Sequence, residues 1–568
     1  MTCDPRVLRR PLLVGLIPAV WTVVLGLWGL SRQNSVWRDE AATWQVARRS
    51  TGDIVRMLEH VDVVHSLYYL CMHGLFAGFG PSTTVLRLPS VLAVAAAAAC
   101  VALIGHRLTG AYVGLGAGLA LGLLPAVQFY LQEGRPYALV AAGSAVSTLL
   151  LVNALRGRAR KRTWAAYACA VLVCGWLNWL ALLILPAHLI TLLWSRAPRG
   201  VRVRWAVAAG AATAGVLPLA LFSLDQSGQV SWVPPLTWHM MIGPAILLAI
   251  GGLGGLLGRR TGTGTAPGTG MGAAERTGVA GRTDRTGRAD RTDLAGPPDL
   301  ANRAGRPGPT GTVEPPDLAG PPDLANRAGR PGSAGTVEPP GPVTGSPSVA
   351  AVGLPLLAVP QLGLIGLSLV KPLFVDRYIL FSLLGLALLI GALIGRAVDE
   401  VARRSRPAAR CVLPVLVAVA LVALLPQSLA KRSPASRVDD VLAAAERTRQ
   451  LKHDGDGVLF IPAARRDTWL VTPDAFTGTR DIALAETPEK SGTLKGVEAS
   501  PARVRAAMLA QRRILLVTDA TGVARPTRGR RDRTKAEVLA THFTLVSDER
   551  IRGRRVAVYE HLAPAGGG

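Results

Sequence analysis

An acidic pair, Asp39-Glu40, follows the first long apolar run of the sequence, within NSVWRDEAATWQVARR (34–49). Ionisable groups at the depth of a membrane are costly, so they are candidates for function by default. A carboxylate in such a place could accept the proton of a substrate hydroxyl. The structural alternative is that both acids only occupy the first turn of a helix, where the helix dipole favours them.

Cations follow the same pattern at the ends of later apolar runs. LRLPSVL contains Arg87 and LQEGRPY contains Arg135. KPLFVDRY contains Lys371 and Arg377. Such cations could stabilise negative charge that develops on a leaving group, or they could only snorkel to the membrane surface or form ion pairs. Further polar candidates in these loops are Asp62, His65, Tyr68, Gln132, Glu133, Tyr137, Asn178, Asp376 and Tyr378.

The elements that must position these residues are apolar runs of the length that a bilayer requires. The 568 residues have a mean hydropathy of +0.32, and only 18% of them are charged. About 20 apolar residues span a hydrocarbon core as a helix, and runs of this length recur along the chain. The net charge of +26 comes mostly from short basic clusters between the runs, which set orientation. The sequence therefore predicts a polytopic α-helical membrane protein and no nucleic-acid partner.

The basic clusters also predict which side of the cell membrane each loop faces. Three arginines within the first ten residues place the N-terminus in the cytoplasm. Later clusters agree if 63–79 lies along the outer face, so 31–85 forms one outer loop with juxtamembrane helices. Thr51 is the expected N-cap of one of these helices. The eleven predicted spans are 11–30, 86–106, 111–131, 137–156, 164–178, 180–195, 205–223, 238–257, 349–370, 377–396 and 411–430.

An atypical segment, 258–348, interrupts the membrane domain between its two parts, 1–257 and 349–430. It is rich in Gly, Pro, Arg, Thr and Asp. DLAGPPDLANRAGRPG begins at Asp293 and again at Asp317, which is a direct repeat with a period of 24 residues. Each unit has too few large apolar residues to bury a core, so the segment is predicted to be a disordered, low-complexity cytoplasmic insertion.

The last segment, 431–568, is predicted to be a small α/β domain that lies outside the cytoplasm, because an odd number of spans precedes it. GVLFIP, RRILLVTD, FTLVSD and RRVAVYEHL have strand patterns, whereas VDDVLAAAERTRQL and PARVRAAMLAQR have helix patterns. DGDG (454–457) lacks the later ligands of a calcium loop and predicts a turn. The six Cys have no metal-site spacing. No cofactor is indicated, no metal ligands are assigned, and the use of a divalent cation stays open.

In combination, these stretches resemble the GT-C class of integral membrane glycosyltransferases, in the group that includes protein O-mannosyltransferases and the lipid A aminoarabinose transferase. The matching stretches follow the family order over roughly residues 10–400. They are WRDEAATWQVA, HSLYYLCMHGLFAGFGPSTTVLRLPSVLAV, GHRLTG, LPAVQFYLQEGRPYAL and DRYILFSL. The sequence departs from the family at His65-Ser66, where His-Pro is common, and at Ala138, where an acidic residue is common.

The resemblance implies an enzyme of the cell membrane that moves a mannose-like sugar, or another hexose or pentose, from a polyprenyl phosphate donor. The acceptor is expected to be a hydroxyl of an extracytoplasmic glycan, lipid or protein. Asp39 would be the catalytic base, with Glu40 orienting it or binding the acceptor, and direct attack would invert the anomeric carbon. The implied phosphate-binding residues are Arg87, Arg135, Lys371 and Arg377, and the implied substrate-binding residues are His65, Tyr68, Glu133, Tyr137 and Tyr378.

Two alternatives belong to other functional classes. A polytopic lipid or sugar transporter or flippase would show internal repeats, and broken helices with buried charges at mid-membrane. The helices show no such repeat, and their charges cluster at one face. A non-catalytic membrane scaffold is the second alternative.

Overall fold

A computed structural model describes residues 11–226, 233–259, 347–524 and 529–562. The predicted insertion at 258–348 falls almost entirely outside these residues. The helices are α1 (Pro11–Leu27), α2 (Arg38–Ala47), α3 (Thr51–His60), α4 (Ser66–Phe79), α5 (Thr83–Leu108), α6 (Ala111–Leu123), α7 (Pro125–Tyr130), α8 (Tyr137–Leu155), α9 (Lys161–Leu177), α10 (Ile184–Trp194), α11 (Arg199–Asp225), α12 (Trp238–Arg259), α13 (Val349–Val370), α14 (Leu383–Arg404), α15 (Arg406–Arg432), α16 (Val441–Leu451), α17 (Asp467–Val471), α18 (Pro488–Ser491), α19 (Pro501–Leu509) and α20 (Arg530–His542).

Within the described residues, seven helical segments are long and apolar enough to cross a membrane. They are α5, α8, α11, α12, α13, α15 and the continuous segment Asp376–Arg404, which contains α14. Shorter apolar helices occur at Pro11–Leu27, Val63–Phe79, Ala111–Leu123 and Trp179–Trp194. The chain is thus a multi-pass helical membrane protein, as predicted, and each predicted span corresponds to a helix or to a pair of short helices.

Three of the predicted spans are not a single continuous α-helix. Span 180–195 begins with the tight helical turns Trp179–Leu183 and continues as α10. Span 111–131 divides into α6 and α7 at Leu124, because Pro125 has no N–H and restricts the residue before it to extended backbone angles. Span 377–396 begins with the tight helical turns Asp376–Ser382 and continues as α14. The turns Asp376–Ser382 contain Arg377 and Tyr378, which were predicted to belong to the functional site.

Glycines allow several of the membrane helices to approach one another closely, as is common where helices pack in lipid. A Cβ atom at Gly114 of α6 would lie 2.4 Å from the carbonyl oxygen of Ala102 in α5. A Cβ atom at Gly385 of α14 would lie 2.4 Å from the carbonyl oxygen of Gly353 in α13. The close contacts of these helices therefore depend on the absence of a side chain.

The segment between α1 and α5 contains α2, α3 and α4, in agreement with the predicted juxtamembrane helices. The predicted cap at Thr51 is off by one residue, because the Ser50 hydroxyl accepts the hydrogen bond of the Asp53 N–H. Ile54 and Met57 are buried on the inner face of α3. The segment 63–79 is helical, and its position along the membrane surface stays a prediction.

The C-terminal part folds into a five-stranded sheet with the order β2-β1-β5-β7-β6 and a separate pair, β3-β4. Strand β1 is parallel to β2 and β5, whereas β7 is antiparallel to β5 and β6. The predicted strands and helices of this part are confirmed, and α20 was not predicted. The strands are β1 (Gly457–Ile461), β2 (Arg480–Asp481), β3 (Leu484–Glu486), β4 (Val497–Glu498), β5 (Arg513–Asp519), β6 (Phe543–Ile551) and β7 (Arg554–His561).

Candidate active site

A cavity of about 230 Å³, here called the polar cavity, lies beside the first turn of α2. Two carboxylates and three cations line it together with uncharged polar side chains. The polar and charged lining residues are Asp39, Asp62, His65, Arg135, Asn178, Ser223, Gln226, Lys371, Arg377 and Tyr378. The structure therefore gathers, in one place, ionisable residues that are up to 338 positions apart in the sequence (39 to 377).

Asp39 is the second residue of α2, and its side chain is 22% exposed. The Nη1 atom of Arg377 lies 2.9 Å from Asp39 Oδ2. The guanidinium carbon of Arg377 also lies 5.7 Å from the ring centre of Tyr137 and 6.0 Å from that of Tyr378. A partly exposed carboxylate is thus held next to a cation at the wall of the polar cavity.

Glu40, the next residue, points in a different direction and is completely buried. Its carboxylate accepts hydrogen bonds from Arg32, from Arg87 and from the N–H of Gly134. Burial alone would raise the pKa of Glu40, but Arg32 and Arg87 outweigh it and lower the pKa to about 2. Glu40 is therefore a buried anion that ties α2 to α5 and to the loop before α8.

Arg87 is also completely buried. Its Nε and Nη2 atoms each lie 2.7 Å from a Glu40 oxygen, and its remaining donors bind backbone carbonyls, including that of Leu30 at 2.8 Å. Neither Arg87 nor Glu40 lines the polar cavity. In this structure the two residues form a buried ion pair with each other, and the predicted contacts of Arg87 with the donor phosphate and of Glu40 with the acceptor stay predictions.

Arg135 and His65 form one wall of the polar cavity. Arg135 Nη2 donates a hydrogen bond to His65 Nε2 over 3.0 Å. The Nε and Nη1 atoms of Arg135 have no hydrogen-bond partner within the residues that the structure describes. Nearby, the Tyr69 hydroxyl donates to Asp62 Oδ2 over 2.8 Å. Burial raises the pKa of Asp62, although Arg135 and the Tyr69 hydroxyl act in the opposite direction.

Glu133 is buried and does not line the polar cavity. Neither of its carboxylate oxygens has a hydrogen-bond partner within the described residues. Burial raises the pKa of Glu133 to about 7, and Asp39 adds to this effect while Arg437 opposes it. The side chain can therefore exchange a proton near neutral pH, and its predicted contact with substrate stays a prediction.

The predicted site residues thus divide into two groups. Those that line the polar cavity are Asp39, His65, Arg135, Lys371, Arg377 and Tyr378. Those that lie outside its lining are Glu40, Tyr68, Arg87, Glu133 and Tyr137. Ser223 and Gln226, at the end of α11, were not predicted, because no charged motif marks them. Asn178, a polar loop residue that the sequence analysis had named as a candidate, lines the same cavity.

A second cavity of about 470 Å³, here called the apolar cavity, lies on the other side of the segment after α13. Leu373 lines the polar cavity and Phe374 lines the apolar one. Most of the other residues that line the apolar cavity are hydrophobic: Ala126, Tyr130, Val233, Pro234, Met240, Leu247, Val375, Ile379, Leu380 and Leu383. Asp376 stands at its edge and accepts a hydrogen bond from the Tyr130 hydroxyl over 3.0 Å.

The described residues contain no group of three or more His, Cys, Asp or Glu side chains that is placed to hold a metal ion. The polar cavity offers two carboxylates and one imidazole, but Asp62 and His65 already bind Tyr69 and Arg135. The arrangement fits an anion bound by cations beside a single carboxylate that can take up a proton.

Solved structures with the same arrangement of helices indicate the fold. Two crystal structures of ArnT from Cupriavidus metallidurans superimpose on the chain, one in the apo state with a TM-score of 0.55 and one bound to undecaprenyl phosphate with a TM-score of 0.51. The chain therefore has the fold of these ArnT structures. In both comparisons the identity is 11%, and the match covers 95% of this chain and 97% of ArnT. No protein-family model and no curated protein sequence matches the chain.

Proposed function

We propose that this protein is a membrane glycosyltransferase, which moves a sugar from a polyprenyl phosphate donor to an acceptor hydroxyl outside the cytoplasm. The observation that carries the proposal is the polar cavity, where the Asp39 carboxylate lies beside three cations and next to the apolar cavity. The GT-C-like fold supports it, and one of the ArnT structures contains undecaprenyl phosphate.

The three cations of the polar cavity suit a phosphate that leaves as an anion. Arg135 has unpaired buried donors in the described residues, and Lys371 and Arg377 belong to the segment that separates the two cavities. Fixed cations placed where negative charge develops are worth more in a water-poor site than in solution. These three residues are therefore assigned to the donor phosphate.

The apolar cavity suits the lipid part of the same donor. Its aliphatic and aromatic lining offers burial to isoprene units, which carry no group that could form hydrogen bonds. The segment 371–378 contributes to both cavities, so a donor could place its phosphate on one side and its first isoprene units on the other. This placement leaves the anomeric carbon in the polar cavity.

Asp39 is proposed as the base that activates the acceptor. The acceptor oxygen attacks the anomeric carbon while its proton passes to Asp39, and the bond between carbon and phosphate oxygen breaks with its electrons on the phosphate. Arg377, 2.9 Å from Asp39 Oδ2, is close enough to serve both the carboxylate and the leaving phosphate. One direct displacement inverts the anomeric carbon, by analogy with inverting glycosidases.

The test is turnover by the purified full-length protein with a panel of polyprenyl-phosphate sugars and a mixed cell-envelope acceptor extract. We expect sugar transfer and release of polyprenyl phosphate with at least one donor. Asp39→Asn should lower the rate by about 10²–10⁴-fold, as the loss of a general base does. Asp53→Asn is the matched control, because Asp53 lies in α3, binds Ser50 and Arg56 and does not line the polar cavity. Undiminished turnover in Asp39→Asn would refute the assignment of the base.

A further inference from the structure

The C-terminal domain contacts α2 with one particular edge of its sheet. Strands β1 and β5 are parallel neighbours, and β2 extends the parallel part beyond β1. In open α/β sheets, ligands bind beyond the carboxyl ends of the strands, where neighbouring connections diverge. In this protein, Arg38 of the membrane domain contacts the carboxyl end of β5. Its Nη2 atom lies 3.3 Å from Oδ1 of Asp519, the last residue of that strand.

A further contact with Arg38 is made by Asp439, which lies just before α16. Its Oδ1 accepts a hydrogen bond from the backbone N–H of Arg38 over 3.0 Å, and its Oδ2 accepts from Arg38 Nε over 2.9 Å. The first N–H groups of a helix have no partner within the helix. Trp37, at the N-cap of α2, provides no side-chain acceptor. Asp439 therefore supplies a cap for α2 from 401 residues further along the chain.

Asp439 is itself held rigidly. It is 1% exposed, and Arg554 Nε donates to its Oδ2 over 3.0 Å. Arg554 is fixed in turn by Asp467, whose oxygens lie 2.7 Å and 2.8 Å from its terminal nitrogens. The Asp439 carboxylate thus links the first residue of α2 to a buried network of ion pairs inside the C-terminal domain.

Neighbouring residues fasten the same junction. The N–H of Val441 donates to the carbonyl oxygen of Val36 over 2.7 Å, just before α2 begins. Arg437 Nη2 donates to the carbonyl oxygen of Phe129 over 2.9 Å, at the end of α7. The chain entering α2 is therefore bound to the C-terminal domain at both its backbone and its first helical residue.

We propose that Asp439 is a positioning residue for the transfer reaction, which fixes the N-terminus of α2 and thereby holds Asp39 at the polar cavity beside Arg377. This inference rests on the proposed function. Asp39 directly follows the capped residue, Arg38, so a loosened first turn moves the carboxylate. A displacement of about 1 Å in a reacting geometry can lower a rate by about 10²-fold.

The test compares kinetic constants of purified full-length variants. Asp439→Ala should lower kcat by about 10- to 100-fold, while KM for the donor changes little because the cations and the apolar cavity are untouched. Asp439→Asn keeps an oxygen that can accept the Arg38 N–H, so its kcat should lie between those of Asp439→Ala and the wild type. Asp440→Ala is the control, because Asp440 caps α16 and pairs with Arg552 within its own domain.

A second measurement reports on α2 without using turnover. Hydrogen exchange of the peptide 36–47, followed by mass spectrometry, should be faster in Asp439→Ala than in the wild type and unchanged in Asp440→Ala. Equal exchange in Asp439→Ala, or a kcat equal to that of the wild type, overturns the positioning role. So does a loss of activity that matches only the loss of folded protein in size-exclusion and thermal-unfolding measurements.

The two proposals fail in distinguishable ways. Absence of turnover by the wild-type protein with every donor overturns the proposed function and, with it, the kinetic part of this inference. Wild-type turnover together with an unaffected Asp439→Ala variant overturns the positioning role alone.

Discussion

Replacing Glu40 by glutamine should destabilise the protein, whereas replacing its neighbour Asp39 by asparagine should not. Glu40 is a fully buried anion between Arg32 and Arg87, both of which are also buried. Glutamine has nearly the same shape but no charge, so the substitution leaves two buried cations without their counterion. Asp39 is partly exposed and contacts one cation at a cavity wall, so its loss disturbs the interior much less.

The expected magnitude follows from two routes. The pKa of Glu40 falls from its ordinary value of 4.5 to about 2, and each pH unit corresponds to about 1.4 kcal/mol, which gives about 3 kcal/mol in favour of the folded state. Removal of one partner from a buried ion pair costs about 3–5 kcal/mol in measured cases. Because the pKa is lowered on folding, this stabilisation is present above pH 4.5 and is lost as the pH falls towards 2.

The assay is thermal unfolding of the purified protein in lipid nanodiscs, followed by tryptophan fluorescence at neutral pH. Glu40→Gln should unfold several degrees below the wild type, while Asp39→Asn should unfold near the wild-type temperature and lose turnover. If Glu40→Gln unfolds like the wild type but loses turnover as Asp39→Asn does, Glu40 takes part in the chemistry and its anchoring role is wrong.

The orientation and the helix packing give two further predictions. A cysteine that replaces exposed Lys490, in a protein without its six native cysteines, should react with an impermeant reagent on intact cells. The reason is that an odd number of predicted spans places 431–568 outside the cytoplasm. Labelling only after lysis would show that the count of spans is wrong by one. Gly385→Ala should lower the folded yield and the unfolding temperature, because its Cβ atom would meet the Gly353 carbonyl oxygen at 2.4 Å. Gly366→Ala should be tolerated, because no atom lies within 4 Å of the added Cβ atom. Equal stability of the two variants would contradict the packing argument.

The transmembrane helices were predictable because burial in lipid demands long apolar runs, which a sequence displays directly. The sequence did not indicate that Asp39 would line a cavity while Glu40 would be buried in an ion pair. Successive residues of an α-helix point about 100° apart. Asp39 therefore lines the polar cavity, whereas Glu40, its neighbour in the sequence, points into the interior. The orientation of α2 depends on Arg87, 47 residues away, and no local pattern reveals that contact.

The C-terminal domain shows the same limit on a larger scale. Its main strands were predicted from runs of alternating or continuous apolar residues, but their order depends on pairing between distant segments. Helix α20 was missed because RRDRTKAEVLATH is strongly charged, and only Lys535, Val538 and Leu539 are buried. The cap from Asp439 to α2 joins the C-terminal domain to the first loop of the membrane domain. No local sequence pattern around either residue indicates that the two residues are in contact.

The cap on α2 also has a consequence for biosynthesis. Every described residue that lines the polar cavity precedes position 379, whereas the carboxylate that caps α2 lies at Asp439. A ribosome that adds about 5–20 residues per second needs roughly 20–80 s to travel from Arg38 to Asp439. During that time the nascent chain can insert its membrane helices while the first turn of α2 lacks its partner. A message cut short before codon 439 would therefore encode the described residues that line the polar cavity in a protein whose α2 lacks this cap.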